Sequence, residues 1–362
     1  MLFQVGSNGR KQAKMVVVRG VNRIENKAMK ICVVGAGAIG GFLAVKLAAS
    51  GQDLSVVIRG ANLAVVRANG MTLVHDSGDR ITQKITATDR IADLPVQDVV
   101  ILGMKAHQVA PVAESLTAII GPETLIVTTQ NGIPWWYFNK HGGVYEGQRV
   151  EAVDPGGVIS RNLPVARTIG CIVYPACEMR APGVIQQIEG NRFPLGELDG
   201  ADTPRIRALA DAFRAAGFKT PILSDIRSEI WLKLWGNLSF NPISALTHAT
   251  LEAICTYEPT RALAKAMMLE AQTIGEKLGV KFKVDVEKRI NGAQAVGQHK
   301  TSMLQDVELG RQLELDALVK SVIELGHITK TPTPTIEHVY ALASLLQRSL
   351  AQQKGKLAIT SF

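Results

Sequence analysis

A doubly wound α/β domain followed by an all-helical one is the architecture this sequence predicts, and three observations carry it. The stretch "MKICVVGAGAIGGFLAVKLAASG" from Met29 joins an apolar run, a glycine turn and an amphipathic helix. Apolar runs in "LSVVIRG", "DVVILGMK" and "ETLIVTTQNG" then alternate with helix-like segments, the rhythm of buried parallel strands. From Ala201 onward the pattern is almost wholly helical. With 362 residues the chain exceeds the usual size of one domain, so the boundaries are set at 29–200 and 201–362.

Residues 1–28 stand apart. They hold six basic side chains (Arg10, Lys11, Lys14, Arg19, Arg23, Lys27) against Glu25, and so supply five of the eight net positive charges. What remains is nearly neutral, and aromatic residues make up only 5%. A basic face that tracks phosphates and stacks bases is therefore not indicated, and nucleic acid is not an expected partner. The leader lacks the continuous apolar core of a secretory signal, and no stretch reaches the ~18 apolar residues of a membrane span. A cytoplasmic protein with no membrane partner is expected. The four cysteines, Cys32, Cys171, Cys177 and Cys255, form no C-x-x-C pair and have no histidine at finger spacing. They read as buried, reduced thiols, with no metal site.

Taken in order, the first element to carry chemistry is the turn "GAGAIG". Gly35, Gly37 and Gly40 fit G-x-G-x-x-G in the context the motif requires, directly after a strand and opening a helix. The glycines let the backbone approach a pyrophosphate, whose charge is stabilised by the helix N-terminus at Ala38 and Ile39. At the end of the second strand an Asp or Glu would accept hydrogen bonds from the ribose of NAD. Here the strand ends "VVIRG", and Arg59 offers a guanidinium suited to a 2′-phosphate. The expected cofactor is NADP, bound as NADPH.

Lys105 follows "VVILGM" and Asn131 follows "LIVTTQ", both at carboxyl ends of strands, where a doubly wound sheet places its ligands. Residues 134–164, rich in aromatics, glycine and proline, break the rhythm and read as an irregular lid or interface. The pieces "RTIGCIVYPAC" and "GVIQQIEGNRFPLGEL" read as short strands that complete the first half. In the second half, "IWLKLWGNLSFNP" plants Lys233, Asn237 and Asn241 in an apolar helix at a four-residue spacing. Each step rotates by about 40°, so the three line one stripe about 12 Å long. Such a stripe on a buried helix must find partners, and a ligand between the domains is attractive. A lysine there can act as the proton donor in carbonyl reduction, with the asparagines orienting a hydroxylated acid.

Together, "GAGAIGG", "GMKAHQV", "QNGIP", "WLKLWGNLSFNP" and "TSMLQDVELGRQLELD" (Thr301 to Asp316) resemble, in order and spacing, the ketopantoate reductases (2-dehydropantoate 2-reductases). The resemblance covers Met29 to the C-terminal helices and implies an N-terminal domain of Rossmann type. It also implies NADPH-dependent reduction of 2-dehydropantoate to pantoate in pantothenate and coenzyme A synthesis. In that scheme Lys233 is the general acid and Glu314 orients substrate and lysine. Asn237, Asn241 and Ser302 hold the substrate, with Asn131 and Lys105 completing the crevice near the nicotinamide. Without the family, Ser302 reads as an N-cap and Glu314, within a helix, as an exposed acid paired with Arg311. The alternatives are reduction of another branched 2-oxo acid, or an NADP-binding sensor without turnover. Family chains begin at the methionine before the first strand, here Met29, so residues 1–28 are expected to be a disordered tail or an artefact of an upstream start. Apolar helices such as "TIEHVYALASLL" could support a homodimer.

Overall fold

The computed structural model describes residues 28–354, so the reading of the leader falls, apart from Ala28, outside the described residues. In chain order, β1 (Lys30–Val34), α1 (Ala38–Ala49), β2 (Asp53–Val57) and α2 (Gly60–Asn69) lead to three short strands, β3 (Met71–Val74), β4 (Arg80–Gln83) and β5 (Thr86–Thr88). Then come β6 (Gln97–Leu102), the one-turn helix α3 (Ala113–Leu116), β7 (Ile120–Thr128), α4 (Val158–Asn162) and β8 (Thr168–Cys171). The hairpin of β9 (Ala176–Ala181) and β10 (Val184–Glu189) and the strand β11 (Leu195–Glu197) end the sheet region. Helices follow: α5 (Pro204–Ala215), α6 (Ile226–Thr247), α7 (Leu251–Thr256), α8 (Glu258–Lys277), α9 (Val286–Gln294), α10 (Ser302–Glu308), α11 (Ser321–Ile328) and α12 (Pro334–Gln352).

Seven strands form the main sheet in the order β11-β8-β7-β6-β1-β2-β5, parallel throughout except for β11 against β8. Its strands are apolar on both faces because both are covered. Cys32, Val34, Val100 and Leu102 point into one core, while Ile31, Val33, Val99 and Ile101 point into the other, as the period of two demands. The first of these cores continues without a break into the C-terminal helices, through Trp231, Trp235 and Leu238 of α6.

Two expectations are corrected here. A second, four-stranded sheet, β4-β3-β10-β9, covers the outer side of α1, so only the "LGE" of "GVIQQIEGNRFPLGEL" completes the main sheet. That explains the apolar, glycine-containing α1: a Cβ at Gly41 would lie 2.7 Å from Ile185 Cδ1 on β10. The helix expected to contain Glu314 starts after it, at Leu315, because residues 311–314 form no helix. Gly310 turns with φ +62°, the Leu313 amide donates to Gln347 Oε1 at 3.1 Å, and the Gln312 carbonyl accepts from Lys105. These backbone groups are thus bonded outside any helical ladder. A π-helical turn, Asp316–Lys320, follows.

Residues 134–164 form an interface rather than a cover open to solvent. Trp135, Trp136, Tyr137 and Phe138 are buried in the core shared with the helices. Trp231 Nε1 donates to the Tyr137 hydroxyl at 2.7 Å, and Arg227 of α6 donates to the carbonyls of Tyr137, Leu198 and Asn139. α5 packs with Phe42 and Phe193 on the sheet side, away from the other helices. Cys32, Cys171 and Cys255 are buried and Cys177 is half-buried, all as free thiols.

Candidate active site

The glycine turn forms one wall of the crevice at the carboxyl end of the sheet. Gly35 adopts φ +88°, and a Cβ on it would lie 2.7 Å from Met104 Cβ. A Cβ on Gly40 would overlap the Gly35 carbonyl oxygen. Gly37 differs, since nothing lies within 4 Å of the Cβ it lacks, and it is exposed. Behind it α1 begins at Ala38 and Ile39 with no side-chain cap, leaving amide donors and the positive end of the helix dipole facing that open space. A dinucleotide pyrophosphate fits this cradle. The Gly35 amide donates to the Val57 carbonyl at 3.0 Å, which ties the turn to the end of β2. Two residues further on, Arg59 is exposed.

α6 supplies the opposite wall. Its Asp225 N-cap accepts from the Ser228 amide at 2.9 Å, and the helix then runs 22 residues with Pro242 inside. Lys233 Nζ donates to Asn131 Oδ1 at 2.7 Å and to the Val173 carbonyl. Burial lowers its pKa to about 8, against the opposing pull of the Glu314 charge. One turn on, the Asn237 side chain makes no hydrogen bond among the described residues, and Asn241 Nδ2 lies 3.5 Å from Ser302 Oγ. Ser302 itself is exposed and is the first residue of α10. The cap of that helix is Thr301, whose side chain accepts from the Leu304 amide, rather than Ser302.

Glu314 is half-buried, and neither exposed nor paired with Arg311. Burial raises its pKa, with the charge of Asp306 adding to the shift and Lys105 and Lys233 opposing it. It makes no ion pair with Lys233 among the described residues; the lysine is held by Asn131 and Val173 instead. Lys105 reaches across the crevice to Asp306 of α10 and to the Gln312 carbonyl at 3.3 Å. The crevice thus sets two carboxylates, Asp306 and Glu314, between two ammonium groups, Lys105 and Lys233, in a partly dehydrated space where the charges act on the protonation of Glu314 and Lys233.

The structure therefore gathers Lys105, Asn131, Lys233, Asn241, Ser302 and Glu314 at one boundary, with Asn237 on the same stripe. Gly35, Gly37, Gly40 and Arg59 form a second group, joined to the first where Gly35 packs on Met104 beside Lys105. Sequence reasoning missed Asp306, although an acid between the buried Met303, Leu304 and Val307 is itself a signal. It also missed His107, which lines a cavity of about 240 Å³ with Glu314, Asp316 and Ile159 and whose buried Nδ1 has no partner among the described residues. No sequence signal marks the Val173 carbonyl, which is backbone.

Residues 31–137 match the family model described as ketopantoate reductase PanE/ApbA, and residues 225–347 match that of its C-terminal part. The chain belongs to the ketopantoate reductase family. These are nicotinamide-dinucleotide-dependent reductases. A 2-dehydropantoate 2-reductase of Mesorhizobium japonicum is 53% identical over 328 residues, which is 90% of this chain and 99% of that one. A solved structure from Ralstonia solanacearum MolK2, named as a ketopantoate reductase, is similar at TM-score 0.85 and 39% identity, covering 90% of this chain and 99% of its own. A dimeric ketopantoate reductase from Staphylococcus aureus shares the fold at TM-score 0.68 and 19% identity, over 88% of this chain and 99% of that one.

Proposed function

We propose that this enzyme reduces 2-dehydropantoate to pantoate with NADPH, in pantothenate and coenzyme A synthesis. The observation that carries the proposal is the half-buried Lys233 ammonium, held at the crevice between Asn131 and the Val173 carbonyl with a pKa near 8. NADPH, when bound, supplies a hydride to the carbonyl carbon. The oxygen then needs a proton, and a donor whose pKa lies close to the working pH is suited to give one. Asn131 keeps the ammonium aimed. Asn237, Asn241 and Ser302 present amide and hydroxyl groups to the substrate's hydroxyl and carboxylate. Glu314 sets the field at Lys233, keeping more of it protonated than burial alone would allow. Lys105, beside the glycine turn, is released to the cofactor when its bond to Asp306 is exchanged.

NADPH rather than NADH is supported by Arg59 and by the lack of an acid after β2 in "VVIRG". The sheet domain is assigned to the cofactor, and the helices from Ile226 to the substrate. No helix among the described residues is long and apolar enough to cross a membrane; we place the enzyme in the cytoplasm. A homodimer is supported by the exposed Leu342 and Leu345 on α12.

NADPH oxidation followed at 340 nm tests the assignment against a panel of 2-oxo acids. The expected outcome is the highest kcat/KM for 2-dehydropantoate. A preference for another branched 2-oxo acid would replace the substrate, and cofactor binding without any turnover would leave only the sensor.

A further inference from the structure

Two arginines feel the Tyr174 hydroxyl near Lys233, and they differ in what neutralises them. Arg192 lies with Cζ 4.7 Å from the ring centroid and pairs with Glu229 Oε1 at 2.8 Å. Arg289, projecting from α9, has no hydrogen bond or ion pair from its side chain among the described residues. The titratable groups that bear on it are the Tyr174 hydroxyl and the Cys255 thiol. Both are neutral at ordinary pH, since burial raises each pKa.

Its position is made by a glycine. A Cβ on Gly236 would overlap Arg289 Nη2 and lie 3.1 Å from Cζ, so the guanidinium rests on the bare backbone of α6. Gly236 falls three residues after Lys233 and one before Asn237, at the edge of the polar stripe. Lys233 Nζ itself stands 5.9 Å from the Tyr174 centroid, and the Tyr174 hydroxyl is also one of the groups that bear on Arg289. A desolvated guanidinium without a counter-ion is unfavourable, and its burial works against its own charge. Its planar fork of donors matches a carboxylate in bidentate geometry.

We propose that Arg289 is the counter-ion of the substrate carboxylate, seated on Gly236 so that the anionic end of a 2-oxo acid lies beside the carbonyl that Lys233 protonates. The proposal deepens the reading of the function and rests on it for the class of ligand. It adds charge recognition to the orienting amides of Asn237 and Asn241.

The test is calorimetric binding of pantoate and of its uncharged lactone to the full-length enzyme with NADP⁺ present, in the wild type, Arg289→Gln, Arg289→Lys and Gly236→Ala. A hydrogen bond to a charged group corresponds to about a 10- to 100-fold change in affinity. Arg289→Gln is expected to lose pantoate binding by that factor while lactone and NADPH binding stay unchanged. Arg289→Lys should recover part of the loss, and Gly236→Ala, which displaces the guanidinium, should reproduce most of it. Equal losses for acid and lactone, no loss at all, or a loss confined to NADPH would overturn the assignment. Should Arg289→Gln fail to fold, the other two variants carry the same comparison. Turnover of the wild type is read separately: its absence would overturn the reductase reading, while Arg289-dependent selectivity for the carboxylate would still uphold this one.

Discussion

The glycine turn after β1 and the polar stripe of α6 face one crevice from opposite sides, and they respond to substitution in different ways. The turn works through atoms it lacks: Gly35 and Gly40 have backbone where a side chain would stand, and Gly37 has empty space. The stripe works through a charge held away from water, Lys233, lowered to about 8, with Glu314 raised across from it, both chiefly by burial. Steric exclusion is local and acts on folding and cofactor affinity. Electrostatic tuning is collective, so removing one charge alters the protonation of the rest.

The largest expected effect breaks the electrostatic side. Lys233→Met should lower kcat by about 10²- to 10⁴-fold, the usual scale for a general acid, with NADPH affinity unchanged. It should also raise the melting temperature at pH 7. An unfolded lysine titrates near 10.4, whereas the folded one titrates near 8. The folded state therefore binds fewer protons between those values, so this group's penalty is full below pH 8 and fades as pH rises toward 10.4. The thermal gain of the variant should shrink over the same window, and wild-type reduction should decline as pH passes 8. A variant that melts earlier than the wild type at pH 7 would remove burial as the cause of the shift.

The steric side is sharpened by a pair. Gly40→Ala drives a methyl into the Gly35 carbonyl and should destabilise the fold by about 1–3 kcal/mol, as overpacking does. Gly37→Ala meets nothing within 4 Å, so its denaturation midpoint should stay put while NADPH binding, read by tryptophan quenching, weakens. Equal effects on stability would mean that the two glycines do not divide these roles. The smallest effect lies at the rim: Arg59→Ala should weaken NADPH by about tenfold, as loss of one exposed charge-assisted contact would, and leave NADH unchanged. A loss of the same size for both cofactors would move Arg59 off the 2′-phosphate.

How much of this was legible follows the same division. The glycine turn occupies six consecutive residues between a strand and a helix, so its meaning is contained in local sequence. Lys233, Asn237 and Asn241 were legible for a similar reason, because helical periodicity alone puts them on one stripe. Glu314 was legible only through the family pattern: its backbone lies outside the helix, where Lys105 and Gln347 bond its neighbours, contacts more than 30 residues away along the chain. The second sheet was missed because β3 and β10, some 110 residues apart, pair in parallel, and short edge-like strands carry little pattern of their own.

The sequence by itself determined the period and order of the elements, the phosphate cradle and the polar stripe of α6, since each depends on dihedral preference or spacing within one segment. Only the tertiary structure decided what those side chains face. It set the Val173 carbonyl against Lys233 and Asp306 against Lys105, and laid Arg289, without a partner among the described residues, on the backbone of Gly236. The physical reason is that desolvation and charge pairing arise between segments, and neither is encoded in any one of them.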